Sequence, residues 1–256
     1  MVERGGLDVI RTELEWGYQP QGFFEERFVF ALSDGELVAE VGKATLTLAS
    51  PTNPVLAADL QRCKDETLSV FEIHQLTKHR SFELNGPATV QYTPDGGRRV
   101  AVSVTSTGGA VAGGPADCVF TDANGVVVRD TKAERLASEM AMVISISPKL
   151  AHSSILSGML RSYGQAVRDP QNELIHLYEI RDAIAKVYGG ERDAITALGI
   201  KTSDWKALGR LANEEPLREG RHRGKKFDEL RSATQGELAE ARRITCSLIK
   251  AYANCV

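Results

Sequence analysis

The spacing of apolar residues changes near residue 130, and this change constrains the fold more than any other feature. Before it, apolar and polar residues alternate in short runs such as 44–48 and 99–105. A period of two is typical of half-buried strands. From Thr131 onward, apolar residues recur at steps of three and four, as on one face of a helix. The sequence therefore predicts an α+β fold, with an N-terminal antiparallel β-sandwich or barrel-like domain (1–130) followed by a C-terminal α-helical bundle (131–256).

Glycine-containing pairs separate the strand-like runs of the N-terminal part and favour tight turns. The turn signals are Asp34-Gly35, Asn85-Gly86, Asp95-Gly96-Gly97 and Asn124-Gly125. The flanking runs predict strands over residues 28–32, 36–41, 44–48, 99–105 and 126–128. Residues 71–80 are expected to form a strand and a loop, with His74 and His79 on the surface. Residues 1–130 hold no catalytic constellation, so this domain is expected to sense or regulate.

Start and stop signals divide the C-terminal part into helices. Asp169-Pro170 is typical of a helix start and Gly189-Gly190 of a helix end. Thr234 and Glu237 form a capping-box pattern before the last helix. In the helix that follows Asp169-Pro170, Arg181 stands among apolar residues. Either its stem packs while its guanidinium reaches water, or it faces a polar cleft with Glu179 or Asp182 nearby in the sequence.

Formal charge differs between the two parts of the chain. Residues 1–150 carry 14 Lys+Arg and 20 Asp+Glu, so their net charge is 14 − 20 = −6. Residues 151–256 carry 17 and 14, so their net charge is 17 − 14 = +3. The C-terminal part is therefore the better candidate for binding a polyanion.

Cysteine usage and the lack of long apolar runs limit the class of protein. The cysteines, Cys63, Cys118, Cys246 and Cys255, form no C-x-x-C pair and have no histidine at metal-ligand spacing. We therefore expect reduced thiols, no metal and no cofactor. The first residues lack the apolar core of a signal peptide, and no apolar run is long enough to span a bilayer. These features predict a cytoplasmic protein with no membrane partner.

One stretch of the helical part resembles a DNA-binding helix-turn-helix. Gly199 would form the turn, Ile200 would fill the core, and Ser203 would cap the second helix. Lys206 and Arg210 could then contact DNA phosphates. An ordinary helical hairpin is the alternative, because short turns between two helices are common in helical regions.

Positive charge is most concentrated in residues 218–226, which we call the basic segment. These positions hold three arginines, two lysines and one histidine against a single glutamate. Two glycines interrupt the segment, and Pro216 stands just before it. Because it joins a titratable imidazole to so much fixed charge, it is the leading candidate for a functional site.

The helical part, with an arginine and a histidine close together before its last helix, resembles the HEPN superfamily over about residues 150–256. Members of this family are small helical bundles found in many bacterial toxin–antitoxin and antiphage proteins. Active members are metal-independent endoribonucleases that usually act as dimers. The resemblance implies that Arg218 and His222 are catalytic, that RNA is the substrate, and that the chain forms a homodimer.

The residue types suit this chemistry on their own terms. RNA can be cut by its own 2′-hydroxyl, which requires a group that moves protons near neutral pH, and His222 is such a group. Arg218 would bind the pentacoordinate phosphate with two hydrogen bonds. Other residues would hold the RNA backbone or orient the phosphate; these nucleic-acid-binding positions are Arg221, Arg223, Lys225, Lys226 and Asn213.

Two other functions stay open. The chain could be a DNA-binding regulator that uses Lys206 and Arg210, or a non-catalytic HEPN-like interaction protein whose basic segment docks an acidic partner. In the nuclease hypothesis, the N-terminal domain would respond to an unknown protein or ligand trigger. The P-loop pattern G-x-x-x-x-G-K-[ST] is absent from the sequence, which argues against that class of nucleotide-binding protein.

Overall fold

The structure is a computed structural model that describes residues 9–50, 55–102, 117–121, 126–221 and 230–256. The chain divides into two compact units. We call residues 1–71 and 82–140 the sheet unit, and residues 72–81 and 141–256 the helical unit. The fold is α+β, with an N-terminal antiparallel sheet followed by helices, as predicted.

Six antiparallel strands form the main sheet of the described chain, in the order β2-β3-β4-β1-β5-β6. Their bounds are β1 Arg11–Gln19, β2 Phe28–Leu32, β3 Gly35–Glu40, β4 Lys43–Leu48, β5 Glu83–Tyr92 and β6 Arg98–Val102. A separate antiparallel pair consists of β7 (Val119–Thr121) and β8 (Val127–Asp130). The main sheet is open rather than closed, because β2 and β6 lie at its two edges. The expectation of a sandwich or barrel is therefore corrected to a single open sheet.

A helix and an aromatic cluster, rather than a second sheet, cover the apolar face of this sheet. Helix α1 (Ala57–Lys78) contributes Phe71, whose ring lies 5.3 Å from that of Tyr18 and stacks on Phe23 at 5.7 Å between centroids. In β1, alternate side chains from Thr12 to Tyr18 are buried. Burying these large rings is a principal source of stability for the sheet unit.

The prediction of a strand and loop over residues 71–80 was wrong, because most of this stretch belongs to α1. His74 is buried, and His79 follows the last residue of the helix with a φ of 44°. The helical period was hard to see because Thr67, His74 and Gln75 occupy buried positions that are usually apolar. These polar residues break the apolar stripe that normally identifies a helix.

Two of the turn signals are confirmed and one is not. Asp34-Gly35 lies at the β2–β3 hairpin, and Asp95-Gly96-Gly97 joins β5 to β6. Asn85-Gly86 instead lies inside β5, where Gly86 has a φ of 126° and the register with β1 shifts. A glycine that tolerates positive φ serves a β-bulge as well as a turn, so the pair alone could not distinguish them. Residues 103–105 and Asn124-Gly125 lie outside the described residues.

Replacing Gly35 with alanine is expected to destabilise the sheet unit by about 2–3 kcal/mol. An added Cβ would stand 2.0 Å from the main-chain oxygen of Thr47 on β4, so the two strands would have to separate. Urea or thermal unfolding would measure the loss. Gly17→Ala is the matched control, because Gly17 is exposed on β1 and an added Cβ there meets no atom within 4 Å. Equal stability of the two variants would contradict the prediction.

The helices of the remaining chain are α2 (Thr131–Leu150), α3 (Ser154–Arg168), α4 (Glu173–Val187), α5 (Glu191–Leu198), α6 (Thr202–Gly209) and α7 (Gln235–Ala253). A single π-helical turn, Arg210–Glu214, follows α6 directly. In the helical unit, α4 packs against both α3 and α7. Among the described residues, no helix combines the length and apolar character required to cross a membrane.

Two of the three predicted helix boundaries of the C-terminal part are confirmed. Asp169-Pro170 instead begins a 3₁₀ turn (Pro170–Asn172) that the Asp169 side chain does not cap, and α4 begins after it at Glu173. Gly189 and Gly190 adopt positive φ values immediately after α4. The side chain of Thr234 accepts a hydrogen bond from the Glu237 amide, and the Glu237 carboxylate accepts one from the Thr234 amide, which completes the capping box of α7. The apolar stripe of α7 is buried, as its spacing predicts.

Candidate nucleic-acid interface

Main-chain hydrogen bonds fix the start of the basic segment. The Arg218 amide donates to the carbonyl of Arg231 at 3.0 Å, and the Arg231 amide donates to that of Pro216 at 2.9 Å. Leu217, between them, is buried. The Arg221 amide donates to the carbonyl of Ala212 at 2.8 Å. Residues 217–221 are therefore held between the π-helical turn and the chain that leads into α7.

The predicted catalytic pair is only partly described. Arg218 is exposed, and its side chain has no carboxylate or hydrogen-bond partner among the described residues. Four of the predicted residues lie outside the described residues: His222, Arg223, Lys225 and Lys226.

Arg221 connects the basic segment to helix α4. Its guanidinium donates to the carboxylate of Asp182 at 2.9 Å, and its Cζ lies 4.7 Å from the ring centroid of Tyr178. Both contacts are made by residues one turn apart on α4. A paired and stacked arginine is restrained, so Arg221 positions the segment.

Arg181 contacts the same tyrosine and faces a polar cleft. Its Cζ lies 4.9 Å from the Tyr178 ring centroid and 4.7 Å from that of Trp205. Its Nη2 donates to Glu191 at 3.0 Å. Arg181 thus lines a cleft, as the second alternative expected, but its carboxylate partner is Glu191 rather than Glu179 or Asp182. Glu191 begins α5 beyond the glycine pair, so no spacing within α4 could indicate it.

Asn213 belongs to the π-helical turn. Its Oδ1 is buried and has no hydrogen-bond partner among the described residues. No hydrogen bond joins its side chain to those of Arg218 or Arg221 in the described part of the chain. Single π-helical turns occur often at functional sites, because they change the direction of side chains within a helix.

The segment that resembles a DNA-binding helix-turn-helix forms a helical hairpin of α5 and α6. Gly199 makes the turn with a φ of 61°, as predicted. Ser203 does not cap α6, because the helix already includes Thr202 and Lys201 stands at the cap position. Ile200 is only half-buried, so the core is filled instead by Trp205, which is fully buried.

Lys206 and Arg210, the two proposed DNA contacts, are exposed. Arg210 lies in the π-helical turn rather than in α6, and its Nη1 donates to Glu215 at 2.6 Å. Both residues line the same cleft as Arg181, and this cleft encloses about 470 Å³.

A buried ion pair elsewhere in the helical unit was missed by sequence reasoning. Glu173 is 1% exposed and accepts hydrogen bonds from Nε and Nη2 of Arg242 at 2.6 and 2.8 Å. His79 Nε2 lies 3.5 Å from the same carboxylate, and its Nδ1 lies 3.2 Å from the hydroxyl of Tyr163. Burial alone would raise the pKa of Glu173, but the hydrogen bonds from Arg242 and His79 hold that pKa below its ordinary value.

The thiols of Cys63, in the sheet unit, and Cys246, in the helical unit, are not activated. Burial and the nearby Asp34 carboxylate raise the pKa of Cys63 to about 11, and burial also raises the pKa of Cys246. A thiol with a raised pKa is a poor nucleophile at neutral pH. No group of three or more His, Cys, Asp or Glu side chains able to hold a metal ion occurs among the described residues.

No family model, curated protein or solved structure matches this chain.

Proposed function

We propose that this protein is a metal-independent endoribonuclease of the toxin or antiphage-defence type, with a HEPN-like helical unit. Arg218 and His222 cut RNA, while Arg221, Arg223, Lys225, Lys226 and Asn213 bind or orient it. The sheet unit regulates the activity in response to a protein or ligand, and the active form is a cytoplasmic homodimer.

The exposure of the Arg218 side chain, and its lack of a carboxylate partner among the described residues, support this proposal. Its described arginine neighbours are all paired: Arg210 with Glu215, Arg221 with Asp182, and Arg231 with Glu237. Arg218 is exposed and has no such partner among the described residues. An exposed, unpaired guanidinium can bind an external phosphate without first giving up a carboxylate. This contrast supports Arg218, rather than its paired neighbours, as the phosphate-binding arginine.

The proposed reaction needs no group beyond RNA, water and these side chains. Neutral His222 accepts the proton of a 2′-hydroxyl, whose oxygen attacks the adjacent phosphorus. The bond between phosphorus and the 5′-oxygen breaks, and that oxygen takes a proton from water. The products are a 2′,3′-cyclic phosphate and a 5′-hydroxyl end. Arg218 stabilises the extra negative charge on the phosphate oxygens as the bond to the attacking oxygen forms.

Incubation of the purified full chain with an RNA pool in EDTA tests this proposal. Cleavage is expected to continue in EDTA and to leave 2′,3′-cyclic phosphate ends, because the 2′-hydroxyl is the nucleophile. Single-stranded DNA of the same sequences is the matched control. It lacks the 2′-hydroxyl groups and should stay intact. Complete inhibition by EDTA, or no cleavage of any RNA, would refute the mechanism. Stable RNA binding without cleavage would instead favour a non-catalytic interaction protein.

The α5–α6 hairpin supports a second candidate, duplex DNA binding. Gly199 forms the expected turn, and Lys206 is exposed on the second helix. An electrophoretic mobility-shift assay of the full chain with a random pool of duplex DNA distinguishes the candidates. Only the DNA hypothesis requires a salt-sensitive shift of duplex DNA.

A further inference from the structure

The cleft beside α6 has the features of a small anion-binding site. Of the residues that line it, Arg181, Lys206 and Arg210 are cationic, and Glu191 and Glu214 are anionic. Ser203 adds a hydroxyl group, and the buried Gly209 leaves space for the Arg181 guanidinium at the wall of the cleft. Its volume of about 470 Å³ lies in the range of sites for small organic ligands.

Arg181 is held in place by its neighbours and keeps unused donors. Nη1 donates to the Tyr178 hydroxyl and Nη2 to Glu191, which uses two of the five N–H groups of the guanidinium. The guanidinium stacks on Trp205 and lies against Gly209, where an added Cβ would be 3.5 Å from Cζ. Nη1 and Nη2 each keep a second N–H, which can donate to an oxygen of a ligand in the cleft that Arg181 lines.

Lys206 supplies a cation that can move toward such a ligand. It is exposed on α6, and no carboxylate in the described chain pairs with it. The start of the same helix adds partial positive charge, because Lys201 stands at the cap position and no side chain caps the first-turn amides. Ser203, in that first turn, also lines the cleft. The charge of Lys206, the hydroxyl group of Ser203 and the uncapped start of α6 therefore lie at the same cleft.

The carboxylates that line the cleft leave room for an anion. Glu191 already receives a hydrogen bond from Arg181, so that pair is balanced. Arg210 is likewise paired, with Glu215. Lys206 is thus the lining cation without a carboxylate partner among the described residues, and its charge favours a ligand with a localised negative charge over a neutral one.

We propose that this cleft binds the phosphate group of a nucleotide, held by Lys206 and Arg181. Two sources offer that chemistry: a free nucleotide, and the 5′-phosphorylated end of an RNA strand. The second source rests on the proposed function, whereas the first does not. Arg181 and Arg221 contact the same Tyr178 ring, so an RNA end in the cleft would adjoin the basic segment.

Calorimetric titration of the full chain tests the site, with adenosine 5′-monophosphate compared with adenosine. The nucleotide is expected to bind at least about tenfold more tightly, because only it carries the phosphate. Lys206→Ala should remove most of that preference. Lys186→Ala is the matched control, because Lys186 is an exposed lysine on α4 of the same unit that does not line the cleft.

Three results would overturn the site: no nucleotide binding, equal binding of adenosine, or equal affinities of the two lysine variants. Binding of RNA hexamers with and without a 5′-phosphate distinguishes the two sources of the bound phosphate, a free nucleotide and an RNA end. Tighter binding of the phosphorylated hexamer, sensitive to Lys206→Ala, indicates an RNA end, whereas equal binding of the hexamers beside tight nucleotide binding indicates a free nucleotide. His222→Ala should leave the affinity for adenosine 5′-monophosphate unchanged, so failure of the nuclease and failure of the cleft are distinguishable.

Discussion

Arg242→Met is expected to lower the free energy of unfolding of the helical unit by about 3–5 kcal/mol at neutral pH. The substitution removes both hydrogen bonds to Glu173, whose carboxylate is 1% exposed. A buried carboxylate without its cation must either stay charged in an apolar surrounding or bind a proton. Both alternatives cost free energy, and the thioether of methionine compensates neither.

Arg243→Met is the matched control for this prediction. Arg243 is the next residue on α7, its side chain is 56% exposed, and its pair with Asp204 has distances of 3.2 Å. An exposed pair of this kind contributes at most about 1 kcal/mol. Chemical denaturation of the two variants would measure the difference, and similar losses from both would contradict a special role for the buried pair.

The double variant Glu173→Met and Arg242→Met separates the effect of the two charges on stability from the effect of packing around them. Because it removes both charges, it is expected to be more stable than Arg242→Met alone. A double-mutant cycle with the two single variants gives the coupling between them. A double variant as unstable as the sum of the single variants would show that packing around α4 and α7, rather than charge, dominates.

The pH dependence follows from the pKa of Glu173, which lies below its ordinary value in the folded chain. A carboxyl group with a depressed folded pKa stabilises the fold above its unfolded pKa. That contribution disappears as the pH falls through the lower, folded pKa. In Arg242→Met the folded pKa is expected to rise instead, since only His79 then opposes the effect of burial. The deficit of the variant should therefore be greatest at neutral pH and shrink in acid.

His222→Ala is expected to reduce RNA cleavage by about 10²–10⁴-fold, the usual contribution of a positioned proton-transfer group. Without an imidazole, the 2′-hydroxyl must lose its proton to water. The initial rate of cleavage of a labelled RNA in EDTA measures the effect, and circular dichroism checks that the variant is folded. RNA affinity should fall much less than the rate, because the arginines and lysines of the basic segment are unchanged.

His152→Ala is the control for this second prediction. His152 is an exposed histidine of the same unit that lies in the turn between α2 and α3. Its removal should leave the rate of cleavage unchanged. Undiminished cleavage by His222→Ala would remove His222 from the mechanism, and equal losses from both variants would point to a general effect on the fold.

Sequence reasoning succeeded where the determining interactions are local. The capping box of Thr234 and Glu237, the turn at Gly199 and the helix end at Gly189-Gly190 each depend on residues within a few positions of one another. Such signals have a fixed spacing, so one sequence is sufficient to detect them. The change from strand to helix near Thr131 was visible for the same reason.

Contacts between distant parts of the chain could not be predicted in this way. Glu173 meets Arg242 across 69 positions, and Arg221 meets Asp182 across 39. Helix α1 was missed because its buried face includes polar residues whose partners come from elsewhere in the chain. Strand β1 does alternate with a period of two, but no glycine turn marks its start. The composition of the basic segment was therefore sufficient to indicate it as a candidate site, whereas its contact with Asp182 on α4 became apparent only in the structure.

The π-helical turn has a consequence for the chain that follows it. In a continuing α-helix, the carbonyl of Ala212 would accept the amide four residues on, but that residue is Pro216, which has no N–H group. The carbonyl accepts the amide of Arg221 instead. The residue that precedes His222 in the sequence is thus tied to a helix end through the main chain. Side-chain substitutions can therefore alter the charge of the basic segment while this anchoring bond is retained.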